Sequence, residues 1–137
     1  MRESTRLQQG SPSRDRFKRK HKEGPGWCYA CDVDFALVSK SPPGIVAFLD
    51  YQVGEEAISF SEVLAYNELL SIAPVFIVRG DADANGPFSV MEYEGGDYRP
   101  EPPRAKLTRI ASQLDWQGLL AWEQLIRNGY AAQRGQP

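Results

Sequence analysis

The sequence predicts an α/β domain with a mixed central β-sheet flanked by helices. Two segments rich in β-branched and aromatic residues, Cys31–Val38 and Ile45–Gln52, flank the turn Ser41-Pro42-Pro43-Gly44, the pattern of an antiparallel hairpin. A helix-spaced stretch from Ser59 to Ile72 then leads into the all-apolar run Val75–Val78, so the chain leaves the sheet through a helix and returns to it, which makes a crossover and a parallel pairing. A second helix-spaced stretch, 115–127, closes the chain.

Residues 1–13 are polar, rich in Ser, Gln and Arg, and too poor in apolar side chains to pay for ordering. Arg14 to Lys22 reads as a short basic helix stopped by Gly24-Pro25-Gly26. The domain boundaries follow: a basic arm over 1–22, one domain over 23–130 and a flexible tail over 131–137. The hairpin strands are expected over 29–38 and 44–52. The helix over 60–72 has Val63, Leu64, Tyr66, Leu69 and Leu70 at helical spacing, with Ser59 or Ser61 as cap and Glu62 in the first turn, where the helix dipole favours an acid. Val75–Val78 is too apolar for an edge and reads as a buried third strand. Phe88 to Glu94 alternates as a fourth. Gly95 to Arg104, with three prolines, reads as an irregular excursion. In the last helix Trp116, Leu119, Leu120, Trp122, Leu125 and Ile126 are expected to face the core.

At 137 residues and 42% hydrophobic, the chain suits a single domain with one modest core. No apolar run reaches the roughly 18–20 residues of a membrane span, and no signal-type segment opens the chain, so a cytoplasmic protein without membrane contact is expected. The net charge of −2 hides an asymmetry. Residues 1–22 hold eight Lys or Arg against Glu3 and Asp15; residues 23–98 hold thirteen acids against Lys40 and Arg79; residues 99–137 hold six bases against three acids. An acidic centre between basic flanks suits a metal site held against a polyanion by basic arms, although a charge run at a terminus also serves simple solvation. On the first account Arg14, Arg16, Lys18, Arg19, Lys20 and Lys22 contact nucleic-acid phosphates, with Arg79 after the third strand as a further contact.

Asp34 lies early in the first strand and Asp50 late in the second, so an antiparallel hairpin brings them side by side. Two carboxylates amid apolar sequence are costly unless a positive charge sits between them. Hard oxygen ligands suit Mg2+ or Mn2+ as that charge.

The order of strand with Asp, strand ending Asp-x-Gln, helix and strand resembles the PD-(D/E)xK nuclease superfamily over roughly residues 27 to 80. Asp34 falls on the first motif position and Asp50-Tyr51-Gln52 on the second, with Gln52 where the family carries lysine. The stretch Leu49-Asp50-Tyr51-Gln52-Val53-Gly54 is similar to the Asp-Tyr-Lys-x-Gly form of exonuclease-type members. Glu62-Val63-Leu64-Ala65-Tyr66 matches the Gln-x-x-x-Tyr helix spacing, with Glu in place of Gln. The resemblance implies a restriction-endonuclease-like core and a metal-dependent deoxyribonuclease of a phage, plasmid or bacterial setting. It also implies catalytic roles for Asp34, Asp50 and Gln52, with Mg2+ or Mn2+ held by Asp34, Asp50 and the backbone carbonyl of Tyr51. In this arrangement Gln52 orients a water by hydrogen bonding but brings no charge. Tyr66 and Glu62 are accessory candidates, Glu62 either as a further metal contact or as a mark of a drifted site. A homodimer is one arrangement that would let a domain this small grip a duplex, and the sequence leaves the oligomeric state open. The alternative function is an inactive relative that binds nucleic acid or protein.

Asp32, two residues before Asp34, shares its face and is either an outer ligand or a strand-end polar residue. Cys28 and Cys31 lack the partners for a zinc site and lead into a strand rather than opening a helix, so both read as small core residues. His21, within a Lys/Arg run, reads as a surface residue.

Overall fold

The computed structural model describes residues 12–13, 15–16, 33–54 and 56–134. The chain divides into two units, Met1–Asp32 and Val33–Pro137. In the first, 12–13 and 15–16 are helical. The other expected features of that unit, from the basic arm through His21 and both cysteines to Asp32, lie outside the described residues.

The second unit is a five-stranded mixed sheet in the order β1-β2-β3-β4-β5 with two helices. Strand β1 (Phe35–Lys40) pairs antiparallel with β2 (Pro43–Gln52) across a two-residue turn. The chain then enters helix α1 (Phe60–Leu69) and returns as β3 (Val75–Arg79), which runs parallel to β2, as the crossover requires. Strands β4 (Phe88–Asp97) and β5 (Arg104–Leu114) complete the sheet antiparallel, and α2 (Trp116–Arg134) follows.

The helices cover opposite faces. Val63 and Tyr66 of α1 pack with Phe48, Val75, Ile77 and Tyr93. Leu119 and Tyr130 of α2 pack with Val46, Leu49, Phe76, Val78, Phe88 and Val90 on the other face. Strands β2 and β3 are therefore buried on both sides, which is why they read as continuous apolar runs. Helix α1 begins at a capping box: Glu62 N donates to Ser59 Oγ at 3.2 Å and Ser59 N donates to Glu62 Oε1 at 2.9 Å. It is tied to β4 through Asn67, whose Oδ1 accepts from Tyr93 Oη at 2.7 Å and from Gly96 N at 3.1 Å.

The hairpin register changes partway. From the turn, Lys40, Ser39 and Val38 face Pro43, Gly44 and Ile45, whereas Leu37, Ala36 and Phe35 face Ala47, Phe48 and Leu49. Val46 is the extra residue of a β-bulge. The bulge separates Ile45, which packs toward α1, from Ala47 and Leu49, which pack toward α2. Gly44 sits at φ 149°, and a Cβ there would collide with the Tyr130 hydroxyl, which donates to the Pro43 carbonyl at 3.1 Å.

Several expectations need correction. The excursion expected over 95–104 is shorter: β4 runs on to Asp97, and residues 104–114 form a fifth strand. Helix α1 ends at Leu69 rather than residue 72, and α2 runs to Arg134, past the expected tail boundary. The buried stripe of α2 is narrower than expected. Leu119 and Tyr130 are buried and Trp122 and Ile126 half-buried, but Leu120 is 55% and Leu125 67% exposed, and Trp116 is exposed as well. Leu120 and Leu125 fall off the 119–122–126–130 stripe, which is the set one flat sheet face can cover, whereas Trp116, at the helix start, still packs its ring edge-to-face on Phe88. The first strand begins at Phe35, with residues 29–32 outside the described residues.

Candidate active site

The candidate residues gather where β2 ends. Asp50 and Gln52 alternate with Tyr51, so both project from the sheet face that α1 covers, as Phe48 does. Asp50 is 6% and Gln52 7% exposed, two buried polar side chains at the rim of an apolar core. Continuing the β1–β2 register by one residue beyond Phe35–Leu49 sets Asp34 opposite Asp50. Their carboxyl groups come within hydrogen-bonding reach of each other. Asp34 is held by the backbone, its Oδ2 accepting from Tyr51 N at 2.8 Å.

Burial pushes the Asp50 carboxyl up to about 7. The hydroxyl of Tyr66, which donates to Asp50 Oδ2, opposes the shift. The hydrogen bond with Asp34, its charge and that of Glu62 reinforce it. Two neighbouring carboxylates that cannot both ionise cheaply share a proton in this way.

Among the described residues no Lys or Arg forms an ion pair with either carboxylate, and the groups that answer them are the Tyr66 hydroxyl and the Tyr51 amide. Hard oxygen donors with uncompensated charge fit Mg2+ or Mn2+. Tyr51 supplies a third oxygen. Gln52 O accepts from Gly80 N at 3.3 Å on the β3 side, so strand alternation turns the Tyr51 carbonyl toward Asp34, on the side of its own amide. Among the described residues no cluster of three His, Cys, Asp or Glu side chains is placed to hold a metal. Glu62 is committed to the helix cap and reaches Asp50 through charge.

Gln52 lies opposite Arg79 in the parallel register, and Arg79 Nε donates to Gln52 Oε1 at 3.0 Å. Arg79 Nη2 donates to the Glu56 carbonyl at 3.1 Å, which fixes the plane of the guanidinium. The structure thus sets a cation beside the position where the resemblance expects one, but on β3. Lys40 is at the far end of the hairpin; at about 3.3 Å per residue, the nine steps from its partner Pro43 to Gln52 span about 30 Å.

Asp34, Asp50, Tyr51, Gln52, Tyr66 and Arg79 are therefore brought together, and Glu62 stands behind them. Asp32, Arg14, Lys18, Arg19, Lys20 and Lys22 lie outside the described residues, and Arg16 belongs to the other unit. Sequence reasoning passed over Arg109, which lines a groove together with Arg79. The signal that marks its strand is the alternation Arg104-Ala105-Lys106-Leu107-Thr108. Among the described residues no helix is long and apolar enough to cross a membrane. Comparison with family models, curated proteins and solved structures finds no match to this chain.

Proposed function

We propose that this chain is a metal-dependent nuclease that hydrolyses DNA phosphodiester bonds, with a restriction-endonuclease-like arrangement of its strands and α1. The observation that carries the proposal is the convergence of Asp34 and Asp50 at the end of the hairpin, with surplus negative charge in a partly buried site. Asp34, Asp50 and the Tyr51 carbonyl would hold Mg2+ or Mn2+. A divalent ion there supplies charge neutralisation at the phosphate and lowers the pKa of a nearby water. Tyr66 orients Asp50 through its hydroxyl, and Tyr51 N orients Asp34. Arg79, held by Gln52 and Glu56, presents positive charge to a phosphate whose own charge grows in the transition state. In the hydrolysis the attacking water gives up a proton to solvent as its oxygen bonds to phosphorus, the bridging P–O bond to one sugar breaks, and the departing oxygen takes a proton from solvent.

A second reading, a binding module that no longer cleaves, is favoured by one contact. Gln52 Oε1, the atom that would position the water, already accepts from Arg79. The test is cleavage of single-stranded, duplex and branched DNA with Mg2+ or Mn2+. Cleavage by the native chain that Asp34→Asn and Asp50→Asn each abolish supports the nuclease. Binding without cleavage under all conditions favours the module, and cleavage that survives both substitutions places the chemistry elsewhere.

A further inference from the structure

A groove of about 250 Å³ opens beside the end of β2, walled by Arg79, Gly80, Ser89, Arg109, Ser112 and Gln113. Arg79 pairs with Ser89 across β3–β4, and Arg109 with Met91 across β4–β5. Directly opposed side chains share a face. Ile77 and Met91 pack on the α1 side, so both arginines emerge on that side, the one that carries Asp50 and Gln52.

The two guanidiniums bring like charge to one groove, and among the described residues no carboxylate offsets it by an ion pair. Arg79 uses two of a guanidinium's five donors on Gln52 and Glu56 and directs the rest elsewhere. Apart from Lys40 at the far end of the hairpin, it is the one cation among residues 23–98, and β5 brings Arg109 to it. Two hydroxyls and an amide, from Ser89, Ser112 and Gln113, add hydrogen-bonding groups. Gln113 is held at φ 56°, a conformation that a side chain other than Gly, Asn or Asp rarely takes without a reason.

What such a groove takes is an oxyanion. Its volume is below the about 300–1,000 Å³ of sites that enclose a small molecule. The aromatic ring in its wall, Phe88, is buried and turned edge-to-face onto Trp116, so no exposed aromatic platform is left for a base to stack on. Guanidinium and hydroxyl groups without a stacking platform grip a backbone and do not read a base.

We propose that the Arg79–Arg109 groove is a phosphodiester subsite that holds a polynucleotide backbone phosphate neighbouring the one at Asp34 and Asp50, without regard to sequence. The assignment of the ligand as a polynucleotide rests on the nuclease reading; the assignment of a phosphate group rests on the groove.

The test measures binding by the full chain in EDTA, by anisotropy of labelled 20-mer DNA, single-stranded and duplex, over a range of salt. Arg109→Glu, at an exposed position, is expected to weaken both by about tenfold or more and to lower the log–log salt slope by about one. Ser112→Asp, which adds an acid to the groove by a different route, is expected to weaken binding in the same direction. Arg127→Glu, the same charge reversal at an exposed position of α2 outside the groove, is expected to bind with the native slope. Native affinity and slope in both groove variants would overturn the proposal. Displacement of the labelled DNA by inorganic phosphate or a mononucleotide at concentrations as low as those of unlabelled DNA would overturn the polynucleotide and leave a small-phosphate site. Loss of binding in Arg109→Glu from a chain that never cleaves would sink the nuclease reading while keeping the groove; cleavage with native binding in Arg109→Glu would do the opposite.

Discussion

Tyr66, one turn from the end of α1, donates its hydroxyl to Oδ2 of Asp50 on β2, and both residues are buried. The ring of Tyr66 also meets Tyr93 edge-to-face at 5.2 Å, so the donor is held by packing as well as by its bond. The helix that covers this face of the sheet thus also stabilises the charged form of the carboxylate beneath it.

Tyr66→Phe removes that donor and keeps the ring. The folded chain is expected to lose about 1–3 kcal/mol where Asp50 is ionised, and less where it is protonated. Urea denaturation at pH 5 and pH 9 measures the difference. Equal losses at both would show that the hydroxyl serves packing alone.

The pH dependence of the metal-free chain follows from Asp50 itself. Its folded value of about 7 lies above the ordinary 3.8, so between those values the folded chain holds a proton that the unfolded chain has released. The stabilisation is complete below about pH 4 and is lost as pH rises through 7. Asp50→Asn cannot ionise, so it should gain on the native chain by about 2–3 kcal/mol between pH 5 and pH 8. A constant difference across that window would place the carboxyl near its ordinary value.

Protons and metal compete for the same oxygens. Mn2+ affinity by calorimetry is expected to rise from pH 6 to pH 8, and Asp34→Asn and Asp50→Asn should each lower it by about tenfold or more. Unchanged affinity in both variants would make the carboxylates structural.

Gln52→Lys would restore the residue the family motif carries, but in this fold it would set an ammonium against Arg79 and remove the acceptor of Arg79 Nε. A destabilisation of about 1–3 kcal/mol is expected, from like-charge contact and the loss of a half-buried donor's partner. Gln52→Glu should retain the partner. Thermal melts of both variants compare them, and a Lys variant as stable as the native chain would mean that Arg79 swings away.

The hairpin, the crossover and the Asp34–Asp50 approach were legible because each follows from local pattern: turn residues, β-rich runs and a helix-spaced stretch with a cap. Strand β5 was not, for two reasons. Pro100, Pro102 and Pro103 draw attention to the loop before it, and its Arg104, Lys106 and Arg109 resemble a solvated run. Those charges are what an edge strand needs to resist pairing with another chain. The Gln52–Arg79 contact was hidden because a parallel register is set by how α1 packs, not by residues adjacent in sequence. Arg109 was invisible as a groove residue for as long as its strand was.

The bulge at Val46 has a consequence for how this protein tolerates change. Were Val46 paired with Leu37 rather than bulged out, the pairing that starts at the turn would continue unbroken through every residue, and Asp34 would then face Leu49 rather than Asp50. The hairpin would still close, with the same turn and the same apolar residues available to it. Its two acids would simply be out of phase. The conformation of one residue, with no carboxylate of its own, thus decides whether the hairpin is a scaffold or a site: a chain lacking Val46 would still set Asp34 opposite Asp50, whereas a chain that pairs Val46 with Leu37 would not.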